Sequence, residues 1–177
     1  LILNGVYQIH IKKIQKKNTS IISEKLVGIE FNLNSTDKDI ATINSLLELP
    51  HLSDEQNVIL YNLLTNIYYI NADLENYLSA FGTTLYYLKA TNNTDGIVNM
   101  YSNFAKYLLQ NNAYENACQI ISKAEEIIPI EAIQDKATRS IAYEMLMEKS
   151  LYENNTDKAF EYINKSLEDI DLFADDD

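Results

Sequence analysis

The chain is poor in the residues that break or staple a fold. Its single cysteine, Cys118, rules out an internal disulfide framework and makes a reducing compartment the expectation. Four glycines and two prolines in 177 residues are too few for the tight turns of an all-β domain. No apolar run approaches the ~20 residues that a membrane-spanning helix needs, and no secretory signal pattern is present. Basic side chains are scarce: 14 lysines and arginines against 26 acidic residues leave a net charge of −12. A field of that sign repels phosphate backbones, so these residues are not expected to bind nucleic acid by themselves.

The shortage extends to reactive groups. His10 and His51 have no partner at metal-ligand spacing. Cys118 is far in sequence from either and reads as a buried, inert thiol. No glycine-rich phosphate loop occurs. The expectation is a protein with no catalytic site, no metal and no cofactor, and not an enzyme. The chain starts at Leu1 and not at Met, which fits a fragment of a longer protein. Heavy use of Asn, Ile, Lys and Tyr looks like an AT-rich bacterial coding sequence.

What the chain has in quantity is apolar periodicity, with apolar residues at 46%. Residues 98–130 organise the reading. Tyr101, Phe104, Ala105 and Leu108 fall at i, i+3, i+4 and i+7, one face of a helix. Asn111 and Asn112 interrupt, and a second helical pattern of Tyr114, Ala117, Ile121 and Ala124 runs to Pro129. Two helices joined by a tight polar turn make a hairpin. The same template appears 40 positions earlier (Tyr101 minus Tyr61), with Tyr61, Leu64, Thr65 and Tyr68, then Leu74, Tyr77, Phe81 and Thr84. There Tyr77 stands where a small residue is expected, which predicts a wider or tilted helix pair. A third copy lies 42 positions on (Tyr143 minus Tyr101), with Tyr143, Leu146, Met147 and Ser150, then Ala159, Ile163 and Ser166.

The remaining stretches are read around these copies. Residues 1–17 form an N-terminal helix or linker; their cluster Lys12, Lys13, Lys16 and Lys17 is either a solvated helix end or a contact to an upstream basic domain. Asn18, Thr19 and Ser20 offer caps for a helix carrying Ile21, Ile22, Leu26, Ile29 and Leu33, with Gly28 a mild penalty. A break at residues 34–37 and the stripe Ile40, Ile43, Leu46 and Leu47 complete a first, degenerate hairpin before Pro50. Ser53 and Gln56 have the spacing of a capping box. Residues 130–139 are expected to extend the next helix by two turns, and the chain is expected to fray from Asp169 into an acidic tail at 174–177.

The order of bulky, small and Pro positions in residues 98–130 resembles the tetratricopeptide (TPR) repeat, with Tyr101 in place of Trp and Ala105 in place of Gly. The periods of 40 and 42 exceed the usual ~34, so the copies read as long-helix, TPR-like repeats. The resemblance implies an all-α fold: a right-handed superhelical array of about four hairpins over residues 18–173 (near 18–50, 53–91, 96–130 and 131–173), its concave side lined by first helices. Tyr61, Tyr68, Tyr101 and Tyr143 then belong to the core.

The opposite face of each first helix carries the polar residues. It holds Asn62, Asn66 and Tyr69 in one copy and Asn99, Ser102, Asn103, Lys106 and Gln110 in the next. Glu144, Met145, Glu148 and Tyr152 follow in the last. Asparagine is a poor helix former whose amide competes with the backbone, so a run of them on helix faces asks for a reason. A carboxamide has one donor side and one acceptor side, which matches the backbone of an extended peptide. The other reading is a solvated polar face in an Asn-rich chain.

Together, the long-period repeats, the Asn-lined face and the composition resemble the C-terminal sensor domain of bacterial peptide-pheromone regulators, the Rgg/PlcR/PrgX (RNPP) group, over roughly residues 20–173. The resemblance implies a cytoplasmic, quorum-sensing regulatory domain that binds a short imported peptide in its groove. Asn62, Asn66, Asn99 and Asn103 would hold the peptide backbone. Lys106 would meet a carboxylate, and Tyr69 and Ser102 would complete the site. It further implies a homodimer contact through the C-terminal part, and DNA binding only through an upstream helix-turn-helix that these residues do not contain. Two alternatives stay open: a generic TPR scaffold for protein–protein interaction, and a peptide-regulated phosphatase, for which residues 1–50 are too short.

Overall fold

The helices of the protein are set by apolar stripes and closed by caps, as the computed structural model shows. The structure describes residues 2–27, 29, 37–127 and 129–171. Gly28, Leu33, the break at residues 34–36, Leu172, Phe173 and the tail at 174–177 lie outside the described residues. Among the described residues there are eight α-helices, one 3-10 turn and no strand. They divide into two units, Leu1–Thr91 and Asn92–Asp177.

The first unit holds α1 (Ile2–Leu26), α2 (Asp37–Leu47), α3 (Asp54–Ile70) and α4 (Leu74–Ala90). The expected cap at Asn18, Thr19 and Ser20 is not used; α1 runs straight through it. Asn18 is buried and donates its side-chain amide to the Pro50 carbonyl (2.9 Å). Gln56 donates to the Gln15 carbonyl (2.7 Å) and the Thr19 hydroxyl (2.8 Å). Polar residues that look like punctuation therefore fasten α1 to the start of α3, and a satisfied amide is tolerated inside a helix. Gln56 also completes the capping box with Ser53. Ile22, Ile43, Leu46, Leu60, Leu64, Ile67 and Ala80 make the core, with Tyr61 and Tyr68 packed against it.

α3 and α4 are antiparallel. Thr65 Oγ1 lies 3.4 Å from Thr84 Oγ1, and the Tyr61 ring stacks on Tyr87 at 5.9 Å. Tyr77 is buried, its ring 6.0 Å from that of Tyr69 and 6.0 Å from that of Phe81. The bulk that predicted a wider pair is taken up at the turn end of the hairpin, while small threonines meet at its centre.

The second unit holds α5 (Thr94–Gln110), α6 (Tyr114–Ile127), a 3-10 turn (Ile130–Ala132), α7 (Lys136–Tyr152) and α8 (Thr156–Asp171). The expected helical extension over residues 130–139 is not formed. Pro129 takes an extended ψ of 130°, Ile133 is extended as well, and Asp135 caps a new helix. α5 packs on α6 and α7, and α7 packs on α8. Val98, Ala105, Ile121, Ile130, Ile133, Ala142, Tyr143 and Leu146 are among the core residues, with Tyr101 against them. Ser140 Oγ meets Ser166 Oγ at 2.9 Å between α7 and α8. The expected fraying from Asp169 does not occur either: Asp169 is buried in α8, where Arg139 donates from Nε at 2.8 Å and also from Nη2.

A similar turn follows α3, α4, α5 and α7. Its middle residue is left-handed: Ala72, Asn92, Asn112 and Asn154, with φ of 55°, 53°, 59° and 58°. After α3, Asp73 N–H donates to Tyr68 O (2.9 Å) and Ala72 N–H to Tyr69 O (3.1 Å), a Schellman closure. Asparagine tolerates this conformation better than other non-glycine residues, which explains three of the four positions.

Candidate groove of the second unit

α5 and α7 lie side by side and run parallel. Asp95 Oδ2 accepts from the Gln134 backbone N–H (3.2 Å), 39 positions on. One helical turn later Asn99 donates its side-chain amide to the Thr138 hydroxyl (3.2 Å), again 39 positions on. Starts meet starts, so the later turns of α5 face the later turns of α7. Between them opens a groove of about 510 Å³. Lys106 and Gln110 come to it from α5, and Glu144 and Glu148 from α7. Each pair is spaced i, i+4, which places both members on one side of their helix. The apolar lining is Leu109, Met145, Met147 and Ile163, with Tyr114 at the start of α6.

The groove's charges are unneutralised by the protein. Among the described residues, neither Lys106 nor Glu144 nor Glu148 has an ion-pair partner. Other charges of this unit are paired away from it. Lys149 bonds Glu125 at 2.8 Å, and Lys165 bonds Glu161 at 2.8 Å while lying over the Tyr143 and Tyr162 rings. Tyr114 stacks on Tyr152 at 6.0 Å with both rings substantially exposed.

No protein-family model matches this chain, and no curated protein or solved structure matches it. Function has to be read from the site itself.

The residues singled out in the sequence fall in two different units. Asn62, Asn66 and Tyr69 lie on α3 in the first unit; Asn66 and Tyr69 are exposed and Asn62 is half-buried. Asn99, Ser102, Asn103 and Lys106 lie on α5 in the second. Asn99 accepts from the Asn103 amide at 2.8 Å while donating to Thr138, so its amide is engaged within the fold. Ser102 is 2% exposed and presents nothing to solvent. Asn103 and Lys106 are exposed, and Lys106 reaches the groove.

Glu144 and Glu148 look in the sequence like ordinary helix-surface charges. Only the packing of α7 beside α5 converges them on Lys106. Met147 and Ile163 carried only a packing signal, because a groove floor and a core position share one periodicity, and Leu109 lay off the stripe read for α5. Cys118 is half-buried, and burial pushes its thiol pKa up, which disfavours a reactive thiolate. Among the described residues, no three His, Cys, Asp or Glu gather as a metal site. No helix among them is long and apolar enough to cross a membrane.

Proposed function

We propose that this chain is a peptide-binding regulatory domain of the RNPP kind, built as a right-handed superhelical array of TPR-like hairpins. The observation that carries the reading is the groove between α5 and α7, about 510 Å³, lined by opposed charges over an apolar floor. That size lies within the range of about 300–1,000 Å³ of small-ligand sites. A short peptide supplies a carboxylate for Lys106 and apolar side chains for the floor, and its backbone amides match the carboxamide of the exposed Asn103, about one turn before Lys106 on α5. The 39-position register between α5 and α7 supports a repeat architecture, since consecutive copies stack first helix on first helix.

In this reading Asn62, Asn66 and Tyr69, on α3 of the first unit, are peptide-binding residues of that unit. The protein works in the cytoplasm as a homodimer and reaches DNA only through an upstream domain. The test is mass spectrometry of peptides extracted from the protein purified out of its native host. A co-purifying short peptide, lost in an N66A/N103A variant that keeps its helicity, is the expected result. A stoichiometric protein partner in its place would make the domain a TPR interaction scaffold, and a peptide retained by the variant would remove the asparagine clamp.

A further inference from the structure

Resting on the peptide-binding reading, we propose that the groove of the second unit selects peptides carrying a basic side chain next to a large apolar one, the basic group bound by Glu144 and Glu148. Both carboxylates are half-buried in the groove wall, four positions apart on α7, and neither has an ion-pair partner among the described residues. A carboxylate partly withdrawn from water without a cation is held at a cost that an incoming ammonium or guanidinium offsets. The single cation of the lining, Lys106, stands on the other wall, so the lining carries one excess negative charge, two glutamates against one lysine. The whole chain, at −12, adds to the attraction for a cationic ligand and repels an acidic one. Tyr114 lines the same groove, with one face of its ring stacked on Tyr152.

The apolar half of the specificity comes from a neighbouring cleft. Met147 and Ile163 line the groove and also a second, open space of about 220 Å³, whose other lining residues include Leu151, Ala159 and Phe160. Phe160 is 66% exposed and Leu151 48%, so this apolar surface is open to water in the free protein. A side chain adjacent to the basic residue can enter it, and methionine adapts to different shapes.

The experiment is selection of a displayed random heptapeptide library on the immobilised 177-residue chain, followed by titration of the recovered peptides against wild type and E144Q/E148Q. The substitutions keep size and helix propensity, and circular dichroism checks the fold; E148Q alone serves should the double variant unfold. Recovered peptides with Lys or Arg beside a large apolar residue, bound about tenfold more weakly by the variant and more weakly at high salt, are expected. Acidic or uncharged peptides would overturn this selectivity and leave the peptide-binding reading standing. So would basic peptides that bind the variant equally well, since they would be held by the overall charge and not by this pair. Recovery of no peptide would overturn both.

Discussion

Asn99 donates its side-chain amide to the hydroxyl of Thr138, 3.2 Å away and 39 positions along the chain. The bond sets α5 against α7 at their first turns, and the groove at their last turns follows from it. It also divides two asparagines that look alike in sequence. Asn99 is bonded on both sides of its amide, whereas Asn103 donates to Asn99 and is otherwise exposed. Asn99→Ala is therefore expected to cost about 1 kcal/mol of stability, the worth of a partly buried hydrogen bond. Asn103→Ala is expected to stay within about 0.5 kcal/mol of wild type, as exposed substitutions do. Denaturant titration of the two variants checks this, and the opposite order would contradict the assignment.

Arg139 and Asp169 join α7 to α8 by a two-pronged ion pair whose carboxylate is 7% exposed. Removing one member of a buried pair strands the other, at about 3–5 kcal/mol. Asp169→Ala should approach the low end of that range, because Arg139 is 22% exposed and keeps its bond to the Ile133 carbonyl. A loss below about 1 kcal/mol would place the pair among surface ion pairs.

How far the sequence was legible depends on what produced each signal. Helices came through wherever the stripe was long and the stops were chemical, as at Ser53 and Gln56 or at Asn111 and Asn112. Legibility failed where a polar residue has two uses. Asn18 reads as a cap because its amide competes with the backbone, yet Pro50, distant in sequence, satisfies that amide inside a helix. Asp169 reads as tail because Arg139 is invisible until α8 folds back on α7. The turn asparagines had a local reason of their own, the left-handed conformation, which leaves fewer of them to be explained by a ligand. At the groove, Lys106 was legible from its place on a polar helix face; the convergence of Glu144 and Glu148 on it was not, because it depends on the α5–α7 register.

Ala117 has no exposed surface and sits in α6 where that helix meets α5. Ala117→Leu should overpack the interface and cost about 1–3 kcal/mol. An unchanged melting temperature would show that the hairpin has room there, and would remove the close approach from the account.

Asp135 caps α7, accepting from the Thr138 backbone N–H at 2.8 Å. Hydrogen bonding to Thr138 holds its carboxyl below the usual carboxylate range. Because the folded value is the lower one, the ionised form favours folding. The contribution is present above about pH 4 and is lost as the pH falls through the folded value. Asp135→Asn, which keeps a capping oxygen but cannot ionise, should flatten that part of the acid-unfolding curve. An identical acid limb in the variant would contradict the shift.

A peptide lying in the α5–α7 groove can be trapped where it binds. The most direct measurement is photo-crosslinking in the native host from a benzoylphenylalanine placed at Gln110, with Glu126 on α6 as the control position, followed by mass analysis of the adducts. A peptide-sized adduct at Gln110 and none at Glu126 is the expected result. A protein-sized adduct at Gln110, or the same adduct from both positions, would contradict it.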